Sequence, residues 1–391
     1  MTDNTIVFSI FLIFTGAAFL STFAMYARQS LLVAYMVLGV ALGPWGLKWV
    51  NDAYVVHQIG DVGIVFLLFL LGLHLQPSNL WRMLRKVTPI AFFSSIAFFS
   101  LGYLVALAWN FSYNECLVIA AAMMFSSTII GLKLMPSSAV HTTPVGEMMV
   151  GILLFQDLIA IMVLLALQVA TIDSFGFQDI GLVVFALPAL MVFAFLFEHY
   201  VLLKLFNRFG RAREYMFLLA IAWCLSMSEL SAFFGLSHEI GAFIAGVSIA
   251  NDSIAAYLAE CLQPVRDFFL VLFFFSVGAH FNLDYFSQIV LPALLLGGIM
   301  LGCKPFIFKT LSVYVGESNE FGWELGFRLG QISEFSLLVA YIADNHSLIR
   351  AQASNLIQAT TMLTFLISSY MVSLKYDTPL GLVDDDSLRN V

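Results

Sequence analysis

From Thr5 to Leu374 the chain is a succession of apolar runs, and their lengths constrain its fold more than any other feature. A helix needs about 20 residues, at 1.5 Å each, to cross a hydrocarbon core of about 30 Å. Cut at roughly that length, the sequence gives about thirteen windows: 5–26, 31–45, 58–75, 87–109, 114–135, 146–170, 178–205, 214–234, 237–250, 261–281, 288–314, 321–344 and 350–374. The second and ninth are short, as tilted or core-buried spans are. The prediction is an all-α polytopic membrane protein of about 13 transmembrane helices.

Composition agrees. Of 391 residues, 61% are hydrophobic and 11% charged, against about 25% charged in soluble domains. The net charge of −8 comes without any basic stripe, which argues against nucleic-acid binding. Cys116, Cys224, Cys261 and Cys303 stand singly in apolar runs, without metal or disulfide spacing, and read as packing residues. The first run follows Asp3 and Asn4 rather than Lys or Arg and shows no cleavage site, so it is expected to be a retained span. No Gly-x-Gly-x-x-Gly, phosphate loop or His-Glu-x-x-His occurs. The expectation is therefore no enzyme, no cofactor, no catalytic residue and no metal beyond a transported ion.

Alternate loops place Arg28, Arg82, Arg85, Lys86, Lys133, Lys204, Arg208, Arg211, Arg213, Arg266, Lys309 and Lys375 on one side, against Lys48 and Arg350 on the other. Twelve against two predicts an outside N-terminus and a cytoplasmic C-terminus in a cell inner (cytoplasmic) membrane. Thirteen windows divide into a first repeat at about 5–170, a linker helix at about 178–205 and a second repeat at about 214–374. A short acidic cytoplasmic tail (376–391) follows the transmembrane domain (1–375). An odd linker inverts the second repeat against the first, as in many secondary transporters. Both halves carry a polar interruption in their fifth window, at Met123 to Gly131 and at Leu329 to Phe335. Such breaks are tolerated at membrane depth only where they line a cavity or are buried in protein.

One carboxylate stands out. Asp157 lies in Gly151-Ile152-Leu153-Leu154-Phe155-Gln156-Asp157-Leu158, in the middle of the sixth window. A charge near the bilayer centre costs roughly 2.5 kcal/mol or more and is kept where it meets a cavity, a partner or a transported ion. A group that holds either a proton or a cation, but not both, is what exchange requires. Gln156, Ser126, Ser127 and Thr128 supply oxygen atoms suited to a monovalent ion. The alternative for Asp157 is a permanent ion pair with Lys304 that only locks two helices together. Glu324 and Arg328, at i and i+4 with the acid first, read as a helix-supporting pair. Glu239 reads equally as interfacial or as lining a water path, and His74 as an interfacial histidine.

The ordered set Gly43-Pro44-Trp45-Gly46-Leu47, Ser126-Ser127-Thr128, Leu154-Phe155-Gln156-Asp157, Gly241-Ala242-Phe243-Ile244-Ala245-Gly246-Val247 and Gly330-Gln331-Ile332-Ser333-Glu334-Phe335 resembles the cation:proton antiporter-2 family, in particular the membrane domain of Kef-type glutathione-gated potassium efflux systems. The resemblance implies two crossed broken helices beside the ion-binding carboxylate, a dimerisation part and a core part, alternating access, and a homodimer. It implies that Asp157 binds the cation and proton, with Gln156 beside it leaning towards potassium over sodium. Lys304 and Glu334 are implied to be the core charges, and Lys304 also falls where a counter-charge to Asp157 is expected. Two departures stand against it. Gly72-Leu73-His74-Leu75-Gln76 lacks two carboxylates typical of Kef-type members. Tyr257-Leu258-Ala259-Glu260-Cys261-Leu262 keeps only Glu260 of their regulatory loop. With no nucleotide- and glutathione-binding domain in the sequence, glutathione gating is not carried over, and a separate cytoplasmic regulatory subunit is the partner this leaves room for. Two alternatives to antiport stay open: a channel-like potassium efflux pathway without obligatory proton coupling, and a non-transporting sensor subunit.

Overall fold

A computed structural model describes residues 6–27, 29–50, 53–74, 77–133, 135, 143–170, 177–209, 212–234, 236, 238–252 and 254–376. Arg28, Leu75, Gln76, Arg211, the acidic tail and the side chains of His74, Arg82, Arg85, Lys86 and Lys133 lie outside that description. The regular elements among the described residues are helical. They are α1 (Ile6–Tyr26), α2 (Leu31–Leu42), α3 (Ala53–His74), α4 (Pro77–Ala108), α5 (Tyr113–Met123), α6 (Thr128–Lys133), α7 (Pro144–Ala170) and α8 (Phe177–Phe197). A π turn (Glu198–Leu202) leads on to α9 (Leu203–Phe209), α10 (Arg213–Phe233), α11 (His238–Ile249) and α12 (Ile254–His280). The last four are α13 (Phe286–Tyr314), α14 (Asn319–Arg328), α15 (Glu334–Asn345) and α16 (Ala351–Ser373).

Eight helices among the described residues are long and apolar enough to cross a membrane, and shorter apolar helices accompany them. Four of the predicted windows fall short of a single long span for physical reasons. The second and ninth windows hold helices of 12 residues each, and the fifth and twelfth are each split by a break. Helix α4 starts ten residues before its predicted window, with Pro77 at the first helical position, where a missing N–H costs nothing. Helix α12 also starts early, at Ile254, because Glu260, Gln263, Arg266 and Asp267 are polar residues inside a regular helix. The stretch expected as a regulatory loop is thus helical.

The chain forms two compact units. One comprises residues 52–82 and 165–276. Within it α3 lies directly on α11: a Cβ at Gly72 would stand 2.5 Å from Phe243 O and 2.9 Å from Gly246 Cα. Small residues let helix backbones approach closely where lipid offers no hydrophobic drive to association. Trp223 of α10 stacks on Phe197 at 5.1 Å and donates Nε1–H to Ala245 O at 3.2 Å.

The other unit comprises residues 1–51, 83–164 and 277–391, so each unit draws on both halves of the sequence. Here α14 packs on α13 through glycines spaced by four. A Cβ at Gly322 would meet Lys309 Cα at 2.9 Å, and one at Gly326 would meet Pro305 O at 2.5 Å. That contact brings the chain after α14 alongside Lys304. At the other end of the helices, Ser112 and Glu115 form a capping box on α5, and the Glu115 carboxylate also takes two bonds of 2.7 Å from the Arg350 guanidinium at the start of α16. Glu115 is 1% exposed, so this pair joins an element of the first half to one of the second.

Replacing Gly326 by Ala forces the α13 and α14 backbones apart. A loss of about 1–3 kcal/mol is expected for overpacking of this kind. It should appear as a lower melting temperature of the detergent-solubilised protein, and an unchanged melting curve would show that the contact is not tight.

Candidate ion-binding site

The site lies in the second of these units, where two helices are interrupted. Helix α5 ends at Met123 and α6 begins at Thr128; α14 ends at Arg328 and α15 begins at Glu334. Both breaks fall within the stretches read from the sequence. Each contains serines that cap the following half-helix. Ser127 Oγ accepts from Ile130 N at 3.1 Å, and Ser333 Oγ accepts from Phe335 N at 3.1 Å, satisfying amides that a helix start leaves open.

The two breaks touch. Ser126 Oγ donates to Leu329 O at 2.9 Å, and Gln331 Nε2 donates to Ser127 O at 3.3 Å. Ser336 of α15 donates its hydroxyl to Ala122 O of α5. Lys304 of α13 closes the arrangement. Its Nζ donates to Phe125 O at 2.6 Å, to Gln331 O at 3.1 Å and to Ser126 Oγ at 3.4 Å, and lies 4.9 Å from the centre of the Phe98 ring. Three N–H donors thus meet three acceptors, one carbonyl from each break among them. Lys304 is fully buried, and no carboxylate among the described residues stands within ion-pair distance of it. The alternative of a permanent ion pair with Asp157 is not formed; the ammonium is engaged by the breaks.

Asp157 is 2% exposed. Thr128 Oγ1 stands 3.5 Å from each of its carboxylate oxygens. Glu334, at the first position of α15, is also buried. A helix start favours an anion, which accounts for Glu334 at that position. Gln156 is oriented towards the first break: its Oε1 accepts from Ser126 N at 2.9 Å, while its buried Nε2 has no hydrogen-bond partner among the described residues. Because the group it meets can only donate, the oxygen must face the backbone.

Of the oxygen donors expected around the ion, the hydroxyls of Ser126 and Ser127 and the amide oxygen of Gln156 are therefore spent on the backbone. Thr128 is the hydroxyl that faces Asp157. Glu260 is elsewhere, exposed on α12 in the other unit, at the edge of clefts of about 300 and 770 Å³ shared with Arg266 and Arg213. Glu324 and Arg328 pair at 2.9 Å, as their spacing predicts.

Residues 10–374 match the family described as the sodium/hydrogen exchanger, transmembrane. The chain belongs to that family. Its members are monovalent cation:proton antiporters, and the exchanger described here shares that class of activity. Its fold is similar to that of the sodium proton antiporter MjNhaP1 from Methanocaldococcus jannaschii. The structure of that protein at pH 8 superposes with a TM-score of 0.69 at 17% identity, over 96% of the exchanger and 99% of that chain. A second MjNhaP1 structure, from an electron-microscopy map, gives 0.59 at 16% identity over 96% and 94%. At this identity the likeness is one of fold.

Sequence reasoning missed three parts of the exchanger's site. Gln331 was visible only as one letter of a motif, Phe98 as one of many phenylalanines, and the hydroxyls of Thr364 and Ser368 not at all. The available signal was the row of polar residues along α16, Asn355, Gln358, Thr360, Thr361, Thr364 and Ser368. Replacing Lys304 by Met should leave the Phe125 and Gln331 carbonyls buried and unpaired. The expected loss is roughly 3 kcal/mol, read as a fall in the yield and melting temperature of monodisperse protein; a fully stable Lys304→Met variant would show that the breaks hold without it.

Proposed function

We propose that the exchanger carries potassium in preference to sodium, in exchange for protons, through Asp157 by alternating access. The observation that carries this is a buried carboxylate that Lys304 does not neutralise, facing the Thr128 hydroxyl beside an unwound helix. A lone buried charge of this kind is costly unless an ion or a proton joins it. The preference for potassium rests on the resemblance of Phe155-Gln156-Asp157 to Kef-type members. Since Gln156 Oε1 is bound to Ser126 N, the glutamine would act on selectivity by shaping the first break.

The same reading takes the halves before and after the linker as inverted repeats, the working form as a homodimer in the inner membrane, and the side carrying the basic loops as cytoplasmic. Glu260 and the clefts beside it would lie on that side, where a separate regulatory subunit could reach them.

Asp157→Asn, reconstituted into liposomes with a pH-sensitive dye, is expected to show no cation-driven proton movement while eluting as the folded protein. Normal exchange by the Asn variant would remove Asp157 from the mechanism. In the wild type, potassium, sodium, lithium and rubidium compared at several pH values are expected to rank potassium first. Cation flux indifferent to an imposed pH gradient would favour the channel-like alternative instead.

A further inference from the structure

Resting on Asp157 and Thr128 as the cation-facing pair, we propose that Gln331 is a positioning residue that sets the geometry of this pair, and hence ion affinity, by tying the first break to α16. Gln331 belongs to the second break and is fully buried. Its side chain nevertheless reaches the first break, where Nε2 donates to Ser127 O at 3.3 Å. Its Oε1 accepts from Ser368 Oγ of α16 at 3.0 Å. Its backbone carbonyl accepts from Lys304. The amide orientation is fixed by chemistry, because a carbonyl oxygen can meet only the NH2 end.

The Gln331 contact falls at a sensitive place. Ser127 caps α6, and the next residue is Thr128. Holding Ser127 O therefore holds the start of α6 and, with it, the hydroxyl that stands at 3.5 Å from both Asp157 oxygens. That distance is at the long end of a hydrogen bond, so a small shift of α6 decides how a cation sits between Thr128 and Asp157. The anchor at the other end has two contacts. Thr364 and Ser368 lie one turn apart on α16; Thr364 Oγ1 accepts from Ile332 N at 3.2 Å while Ser368 holds the Gln331 amide. Helix α16 thus grips the second break at two adjacent residues, and Gln331 transmits that grip to the first. Lys304 and Ser126 also join the breaks, but neither reaches α16 in the bonds described.

Ion size makes the test. Gln331→Met keeps the volume and removes both side-chain bonds. Ser368→Ala removes only the anchor, and Ser368→Thr keeps a hydroxyl. Full-length variants in proteoliposomes are assayed for KM and maximal rate with lithium, sodium, potassium and rubidium. Loss of one buried hydrogen bond corresponds to roughly three- to tenfold. Gln331→Met and Ser368→Ala are expected to raise KM by about that factor, unequally across the four ions, with maximal rate little changed and Ser368→Thr close to wild type. Should Gln331→Met not fold, the Ser368 pair decides alone. An equal loss of rate for every ion at constant KM would overturn the proposal and leave Gln331 a structural strut. Absence of cation-driven proton flux in the wild type would instead defeat the antiport reading on which it rests.

Discussion

The Lys304 ammonium is the contact on which the candidate site depends. Two unwound segments bring carbonyls to membrane depth, where water cannot satisfy them. The carbonyls of Phe125 and Gln331 follow the ends of α5 and α14, where helix dipoles concentrate negative partial charge. A buried cation between them answers both at once, and they in turn supply the partners without which that charge would not be tolerated. Glu334 and the serine caps answer the opposite polarity at the starts of α15 and α6.

Committing Lys304 to the breaks has a consequence for Asp157. An aspartate locked to a lysine would be a strut; one whose lysine is engaged elsewhere remains available to a substrate. The same economy runs through the hydroxyls and amides. Ser126, Ser127, Gln156 and Gln331 each bond to backbone, so the frame is held by groups that composition alone would assign to the ion. Thr128 and Asp157 are left facing each other.

Much of this was legible in the sequence. Helix windows follow from apolar run length, and the two breaks from polar clusters at Ser126-Ser127-Thr128 and Gln331 to Glu334, because an unwound backbone at that depth requires such residues. Asp157 was legible for the same reason: an acid there needs a cause. What could not be read is which partner each polar group takes. Gln156 sits beside Asp157 in sequence, which suggests a shared ligand, yet on a helix adjacent residues point about 100° apart, and its amide turns to Ser126. Lys304 and Asp157 are 147 positions apart, and no local rule says whether two buried opposite charges meet. Glu115 and Arg350 show the converse. They pair across 235 positions, and the only trace in the sequence is Ser112-x-x-Glu115, the pattern of a capping box.

A satisfied frame also explains why exchange rather than leak is the natural behaviour of such a site. If the break carbonyls held the cation, its departure would expose several unpaired polar groups, and the two segments would have to rearrange at every cycle. Here those groups already have partners within the protein. Among the described residues, the Asp157 carboxylate has the Thr128 hydroxyl at 3.5 Å and takes no bond from Lys304. A bare buried carboxylate is costly by several kcal/mol. On the proposal that Asp157 binds the ion, the cation leaves most readily when a proton takes its place, and the proton leaves when a cation arrives. On that proposal, coupling arises from an electrostatic cost concentrated on one residue, while the break carbonyls are satisfied by Lys304.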